Sequence, residues 1–261
     1  MPDPRKLNLV RLRPWSGMPG GDSAAPMTSI PDTQDWYREY YATNGADRNS
    51  LLQNAGVLFQ TLAQDAATIR ALRSIQINAQ SAQVLDVGCG EGATLWLLIR
   101  LGFEPSNLFG IDIQDKRILK AKARNPLSTF MSADATSQVF DGQTFDMTMA
   151  SALFIHLTDE RLAKAAASEM IRVTKSNGNL LVSDWRYAKP GNSHYKALSP
   201  TRLSELFEVG KRTKIVRKFR GPLVPPLGRM LSSYLAPTYF LVHALLPFLT
   251  GHVTTVLRKI E

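Results

Sequence analysis

Along the chain, the spacing of apolar residues switches repeatedly between two rhythms. Short, nearly continuous apolar runs at 83–87, 107–112, 128–132, 145–150 and 179–184 predict strands buried on both faces. Between them, stretches near 92–101, 114–123 and 159–174 have helical spacing. In the last of these, Thr158 can cap the start and Asp159 and Glu160 suit the positive end. Leu162, Ala166, Met170 and Val173 form a stripe, and Asn177-Gly178 stops the segment. Strand and helix in alternation predict a mostly parallel sheet covered on both faces. Upstream, Leu58, Leu62, Ala66, Ile69 and Leu72 recur at helical spacing and predict one or two helices over 46–76, with that stripe packed on the sheet. Downstream, 211–220 reads as a strand and Val253–Leu257 as the last one, with a helical insertion between them. No internal repeat is apparent.

Length and composition change this picture little. With 261 residues and 44 % hydrophobic content, the chain can build one α/β core with additions but not a second full domain. The expected division is a disordered segment over 1–31, rich in proline, followed by one domain over 32–261. Within that domain lie a helical cap (32–80), a ligand-binding core (81–186) and an acceptor-side region (187–261). The N-terminus holds no stretch apolar enough for a secretory signal, and Met27 is an alternative start. The single cysteine, Cys89, excludes an intramolecular disulfide and suits a reducing, cytoplasmic setting. No histidine lies near it in sequence, so it reads as a small residue in a crowded turn rather than a nucleophile.

Charge changes the picture more. The chain carries 31 Lys and Arg against 22 Asp and Glu, and six of the basic residues fall within 211–220. Lysines at a sheet edge prevent sheet extension, and the same residues attract phosphate or anionic lipid. Leu231 to Leu257 contains no charged residue, but Pro237, Pro247, Gly251 and two histidines interrupt it, which argues against a membrane span. A helical insertion covering an acceptor, or lying on a membrane surface, is the expectation.

The candidate chemistry centres on Val84-Leu85-Asp86-Val87-Gly88-Cys89-Gly90-Glu91-Gly92, a strand, a glycine turn and a helix start. Glycines at alternate positions bring backbone N–H groups against a ligand, and the helix N-terminus adds positive dipole. Asp86 would repel a pyrophosphate and hold a cationic amine. Asp112 and Asp134, at the ends of the next two strands, are placed to accept from ribose hydroxyls and an adenine amino group. With Asp86, Gly88, Gly90 and Gly92, the run resembles the first motif of class I S-adenosylmethionine-dependent methyltransferases. Over about 83–185 the later strands follow the same pattern.

That resemblance implies a Rossmann-like doubly wound sheet, mostly parallel with an antiparallel last strand, and S-adenosyl-L-methionine as cofactor. The implied donor site is Asp86, Gly88, Cys89, Gly90, Asp112, Ile113, Asp134, Ala135, Ser151 and Arg48, and Tyr41 is a further candidate from the N-terminal cap. His156, His194 and Asp184, the last with Tyr187 nearby, are candidates for base catalysis. No metal is expected.

Two alternatives remain. Gly88-x-Gly90-x-x-Ala93 also satisfies a loose dinucleotide pattern, although Asp86 opposes an oxidoreductase. A binding module that holds the donor without methyl transfer is the other. The expected acceptor is a small molecule or a lipid- or glycan-linked compound, with peripheral contact to an anionic inner-membrane surface. Nucleic acid is disfavoured because the basic residues adjoin apolar segments and no binding module is recognisable. The sequence does not fix the oligomeric state.

Overall fold

The computed structural model describes residues 49–188 and 191–260. The N-terminal segment, Tyr41 and Arg48 lie outside them. Helix α1 (Ala55–Arg73) precedes β1 (Val84–Val87), α2 (Ala93–Arg100), β2 (Leu108–Asp112), α3 (Asp115–Arg124), β3 (Thr129–Ser132), β4 (Phe145–Ser151), α4 (Glu160–Val173) and β5 (Thr174–Trp185). Then come α5 (Pro200–Leu206), β6 (Thr213–Arg220), α6 (Pro225–Tyr234), α7 (Ala236–Leu245) and β7 (His252–Lys259). The strands form one sheet in the order β3-β2-β1-β4-β5-β7-β6. The first five strands pair in parallel, while β7 runs antiparallel to both neighbours. This is the Rossmann-like topology with its antiparallel insertion, and the strand order turns back between β1 and β4, where such sheets bind ligands.

Two apolar layers hold the sheet. On one face, Leu85, Val87, Ala150, Leu180 and Val182 pack against α4 and α5, with Phe140 and Phe145 edge-on at 5.0 Å. On the other, Val84, Met147, Leu181 and Val256 pack against α2, α3 and the end of α1. A third, smaller cluster of Ala63, Leu223, Leu231 and Tyr239 joins α1 to the insertion α6–α7. Strands β1 and β2 are buried along their whole length, which fits their apolar runs and makes the carboxylates Asp86 and Asp112 within them exceptional.

Three local expectations need correction. On α1 the buried side is Val57, Ala63, Ala67, Ala71 and Leu72, while Leu58 and Leu62 face outward. Gly228 of α6 leaves room for the Gln60 side chain of α1, which a Cβ there would meet at 2.5 Å. The cap of α4 is Asp159, which accepts from Arg161 N, rather than Thr158. Asn177-Gly178 does not end the helical segment. It lies inside β5 as an irregularity, with Asn177 at φ +60° and a register shift opposite Phe145 and Met147.

Candidate functional site

The turn after β1 is built by three glycines at positive φ, +73° at Gly88, +55° at Gly90 and +77° at Gly92. Side chains are excluded at two of them: a Cβ on Gly92 would meet Asn125 at 2.9 Å, and one on Gly88 would meet Leu153 at 3.0 Å. Gly88 N and Cys89 N both donate to Ile111 O, at 2.8 and 2.9 Å, so the turn continues the β1–β2 ladder. Cys89 is buried, and its thiol is pushed up by burial and by the charges of Asp86 and Asp112. It packs where a Cβ on Gly110 would stand 2.8 Å from its sulfur, the role of a filler and not of a nucleophile.

The carboxylates differ in how far they are satisfied. Asp112 accepts from Gly90 N and Gln114 N, each at 2.9 Å and each on a separate oxygen. A carboxylate has about four acceptor positions, so each oxygen retains one for a ligand. Asp134 accepts from Thr136 N and Thr136 Oγ1, both at 2.8 Å, which fixes the loop carrying Ala135. Asp86 is 1 % exposed, and neither of its oxygens has a hydrogen-bond partner among the described residues. Burial first, and the charge of Asp112 second, push it up to about 8. A buried acceptor pair without donors is costly, and a cationic donor group would relieve that cost.

Ser151 ends β4 in register with Ser183 of β5, and Ala152 N donates to Ser183 O at 2.8 Å. Past that point the two candidate histidine loops are joined: Lys196 N donates to Ile155 O, and the rings of His156 and Tyr195 lie 5.1 Å apart. Burial and the nearby Arg117 charge lower His156 to about 4, so it is neutral near pH 7. Arg117 also acts on Cys89 and Glu91, which places His156 on the glycine-turn side. His194 sits half-buried in the second loop, its N–H donating to Asn192. Asp184 is buried, raised to about 7 by desolvation, and accepts from Ile155 N and Trp185 N. Its carboxylate thus fastens the loop after β4.

A family model described as a methyltransferase domain matches residues 84–178. Over these residues the chain is similar to methyltransferase domains. It is 33 % identical over 106 residues to a 2-methyl-6-phytyl-1,4-hydroquinone methyltransferase of Synechocystis, covering 39 % of this chain and 31 % of that protein. It is 31 % identical over 103 residues to a tRNA (carboxymethyluridine(34)-5-O)-methyltransferase of Arabidopsis thaliana, covering 39 % of this chain and 24 % of that protein. The match thus spans under a third of the length of either relative. A solved S-adenosylmethionine-dependent methyltransferase of Listeria monocytogenes, described as putative, superimposes with TM-score 0.54 at 12 % identity, covering 78 % of this chain and 99 % of its own. It shares the fold.

Two features of this site and its surroundings escaped sequence reasoning. Arg202, buried in α5, donates to the carbonyls of Phe154, Lys196 and Leu157 and to Glu160, and so clamps both histidine loops. The helix start Ser199-Pro200 is the one signal for its placement. The second feature is a polar knot under the insertion. Gln64 donates to Ser183 Oγ at 2.6 Å, while Gln64 Oε1, His252 Nδ1 and Thr250 Oγ1 are buried without a partner among the described residues. The first two converge on Gly221, where a Cβ would stand 3.1 Å from Gln64 Oε1 and 3.2 Å from His252 Nδ1. These residues come from α1, β5, the end of β6 and β7, so no local motif announces them.

Proposed function

We propose that this chain transfers the methyl group of S-adenosylmethionine to a polar group on a small-molecule or lipid- or glycan-linked acceptor. The observation that carries the reading is Asp86, a fully buried carboxyl with two unpartnered oxygens beside a glycine turn. An ammonium at that place would be paired and would draw Asp86 back to its ionised form, whereas a pyrophosphate would gain no charge pairing there and would hold Asp86 in its neutral form. When bound, S-adenosylmethionine supplies a methyl already activated on a sulfonium, so the carbon–sulfur bond breaks toward sulfur as the acceptor's electron pair forms the new bond.

The chain's own residues then have positioning tasks. Asp112 takes the ribose hydroxyls on its remaining acceptor positions, and Ile113 and Ala135 flank the base. Asp134 and Ser151 line the adenine side and the strand end. His156 and His194 stand where a proton lost from an acceptor hydroxyl would be received, and Asp184 and Arg202 hold their loops. The unpartnered atoms of Gln64, Thr250 and His252 suit a polar group of the acceptor, under an insertion rich in exposed apolar side chains. The likeness to a phytyl-hydroquinone methyltransferase supports an acceptor with an apolar tail. We place this activity at the inner face of the cytoplasmic membrane, because the basic strand β6 adjoins an insertion with exposed apolar side chains; among the described residues no helix is long and apolar enough to cross a membrane.

Calorimetry tests the donor assignment: S-adenosylmethionine and its demethylated product should bind, with little affinity for NAD. Tight NAD binding without S-adenosylmethionine binding would overturn it. Mass spectrometry of cell extracts incubated with enzyme and isotopically labelled donor should then reveal the acceptor as a species heavier by one labelled methyl.

A further inference from the structure

Between Val209 and Ile260 the chain has nine Lys and Arg and no Asp or Glu, so the surplus of 31 basic over 22 acidic residues lies entirely in this segment. The same segment carries the most apolar exposed surface. Helix α7 is apolar around most of its circumference, yet only Tyr239 and His243 of it are buried. Leu241 is 57 % exposed, Leu245 67 % and Phe248 62 %, with Leu246 and Tyr187 beside them. A helix apolar on all sides is normally enclosed, and this one is not.

Arginines collar the apolar tip. Arg220 Nη1 donates to the carbonyls of His243 and Ala244 at the end of α7. Arg186 donates to Pro247, Phe248 and Thr250 carbonyls, and Tyr187 Oη donates to Phe248 O. Arg70 reaches the Arg220 carbonyl from α1. The exposed lysines and arginines of β6 continue this charge along the sheet edge, where Lys214, Arg217 and Lys218 face solvent.

We infer that α7 and the turn at 247–249 are a docking face for a bilayer containing anionic phospholipid, with the apolar tip in the acyl boundary and the arginine collar at the phosphates. This rests on the proposed lipid-class acceptor and names the surface where it is met. Ten residues rise about 15 Å, too short to cross a hydrocarbon core of about 30 Å, so the contact is interfacial. A second copy fits worse, because joining two such faces brings the Arg186 and Arg220 collar and the exposed basic residues of β6 against their own copies. RNA fits worse too, since Leu241, Leu245 and Leu246 make up most of the tip and offer bases neither stacking nor hydrogen bonds, even with the rings of Phe248 and Tyr187 beside them.

Sedimentation of the full chain with vesicles tests this, with donor binding measured by calorimetry on the same preparation. Vesicles with about 30 % anionic phospholipid should bind the chain, neutral vesicles at least about tenfold less, and binding should fall at about 0.5 M salt. Leu245→Glu/Phe248→Glu should reduce partitioning at least about tenfold, and Arg217→Glu/Lys218→Glu several-fold, with melting temperature and donor affinity unchanged. A folded, donor-binding chain that ignores anionic vesicles at low salt overturns the docking face and leaves methyl transfer standing. Vesicle binding without donor binding does the reverse. Binding that survives Leu245→Glu/Phe248→Glu but not charge reversal marks a polyanion as partner and overturns the inference. Self-association dissolved by the same pair of apolar replacements, in a chain that ignores vesicles, assigns the face to a second copy and also overturns it.

Discussion

The two halves of the sheet handle buried polar groups in opposite ways. On the donor side, the ligand-facing groups are consecutive in sequence at strand ends, and nearly all are already satisfied by backbone: Asp112 by Gly90 and Gln114, Asp134 by Thr136. Asp86 alone is left open there. On the acceptor side, Gln64, Thr250 and His252 are open together, and their neighbours come from elements up to 179 residues apart, as in the Tyr239–Gln60 bond. A donor that never changes can be met by a rigid, locally encoded cradle, whereas the acceptor varies between relatives and is met by a surface assembled at long range. The family match covers 84–178, which holds the three aspartates and leaves out Gln64, Thr250 and His252.

The largest effects should separate the halves by kinetics. If the acceptor is a hydroxyl, His156→Ala or His194→Ala should lower turnover by about a hundredfold or more while donor affinity stays nearly constant. Near-normal turnover in both variants would take the histidines out of the mechanism and leave positioning alone. Asp112→Ala should do the opposite. Losing charge-assisted bonds to ribose, together with the anchors of Gly90 and Gln114, should cost about 1.5–3 kcal/mol of binding for donor and product alike by calorimetry. Unchanged donor affinity in that variant would remove Asp112 from the site.

This division also explains what the sequence could disclose. The alternation of strand and helix, the glycine turn and the aspartates at or near the strand ends were legible because each depends on neighbours within one βα unit, whereas the antiparallel last strand was implied only by the family resemblance. The outward face of Leu58 and Leu62 was not, because it depends on which side of α1 meets the sheet and the distant insertion α6–α7. The clip between the same helices was equally hidden: Ser232 Oγ donates to Ala55 O and accepts from Phe59 N, entering the first turn of α1. Arg202 gave no signal beyond the Ser199-Pro200 helix start, since a buried arginine reads in sequence like any surface one.

Stability against pH should carry the mark of the open carboxyl. Asp86 and Asp184 titrate in the fold at about 8 and about 7, above the ordinary 3.8, so the folded state holds protons that the unfolded chain releases. Their contribution is fully present below pH 3.8 and is lost as pH rises toward 8. His156 and His252, lowered from 6.5 to about 4 and about 3 by burial, act with the other sign, and their contribution is lost as pH falls below 6.5. Above pH 6.5 only the carboxyl contribution still changes. Chemical denaturation should therefore show a loss on the order of 1–2 kcal/mol between about pH 6.5 and 8.5. Asp86→Asn should flatten most of that slope, and donor binding at pH 7 should release a proton, read as a dependence of binding heat on buffer ionisation enthalpy. A slope unchanged in Asp86→Asn would show that this carboxyl is paired in solution.

The smallest effect probes the acceptor side through one missing methyl group. Gly221 has an ordinary backbone conformation, as it is absent from the positive-φ glycines, so its substitution tests space alone. Its N–H donates to His252 O, and its carbonyl pairs with His243 Nε2 at 2.9 Å, which fixes the backbone against shifting away. In Gly221→Ala the new Cβ lies within 3.2 Å of two unpartnered polar atoms and offers neither a hydrogen bond, at a cost of about 1–2 kcal/mol. Gly221→Ser adds the same Cβ with a hydroxyl that can donate to Gln64 Oε1 or His252 Nδ1, recovering about 1 kcal/mol of that loss. Melting temperatures should therefore rank glycine above serine above alanine. Alanine equal to or above serine would mean that the two atoms do not share this space, and the polar knot would lose its claim on the acceptor.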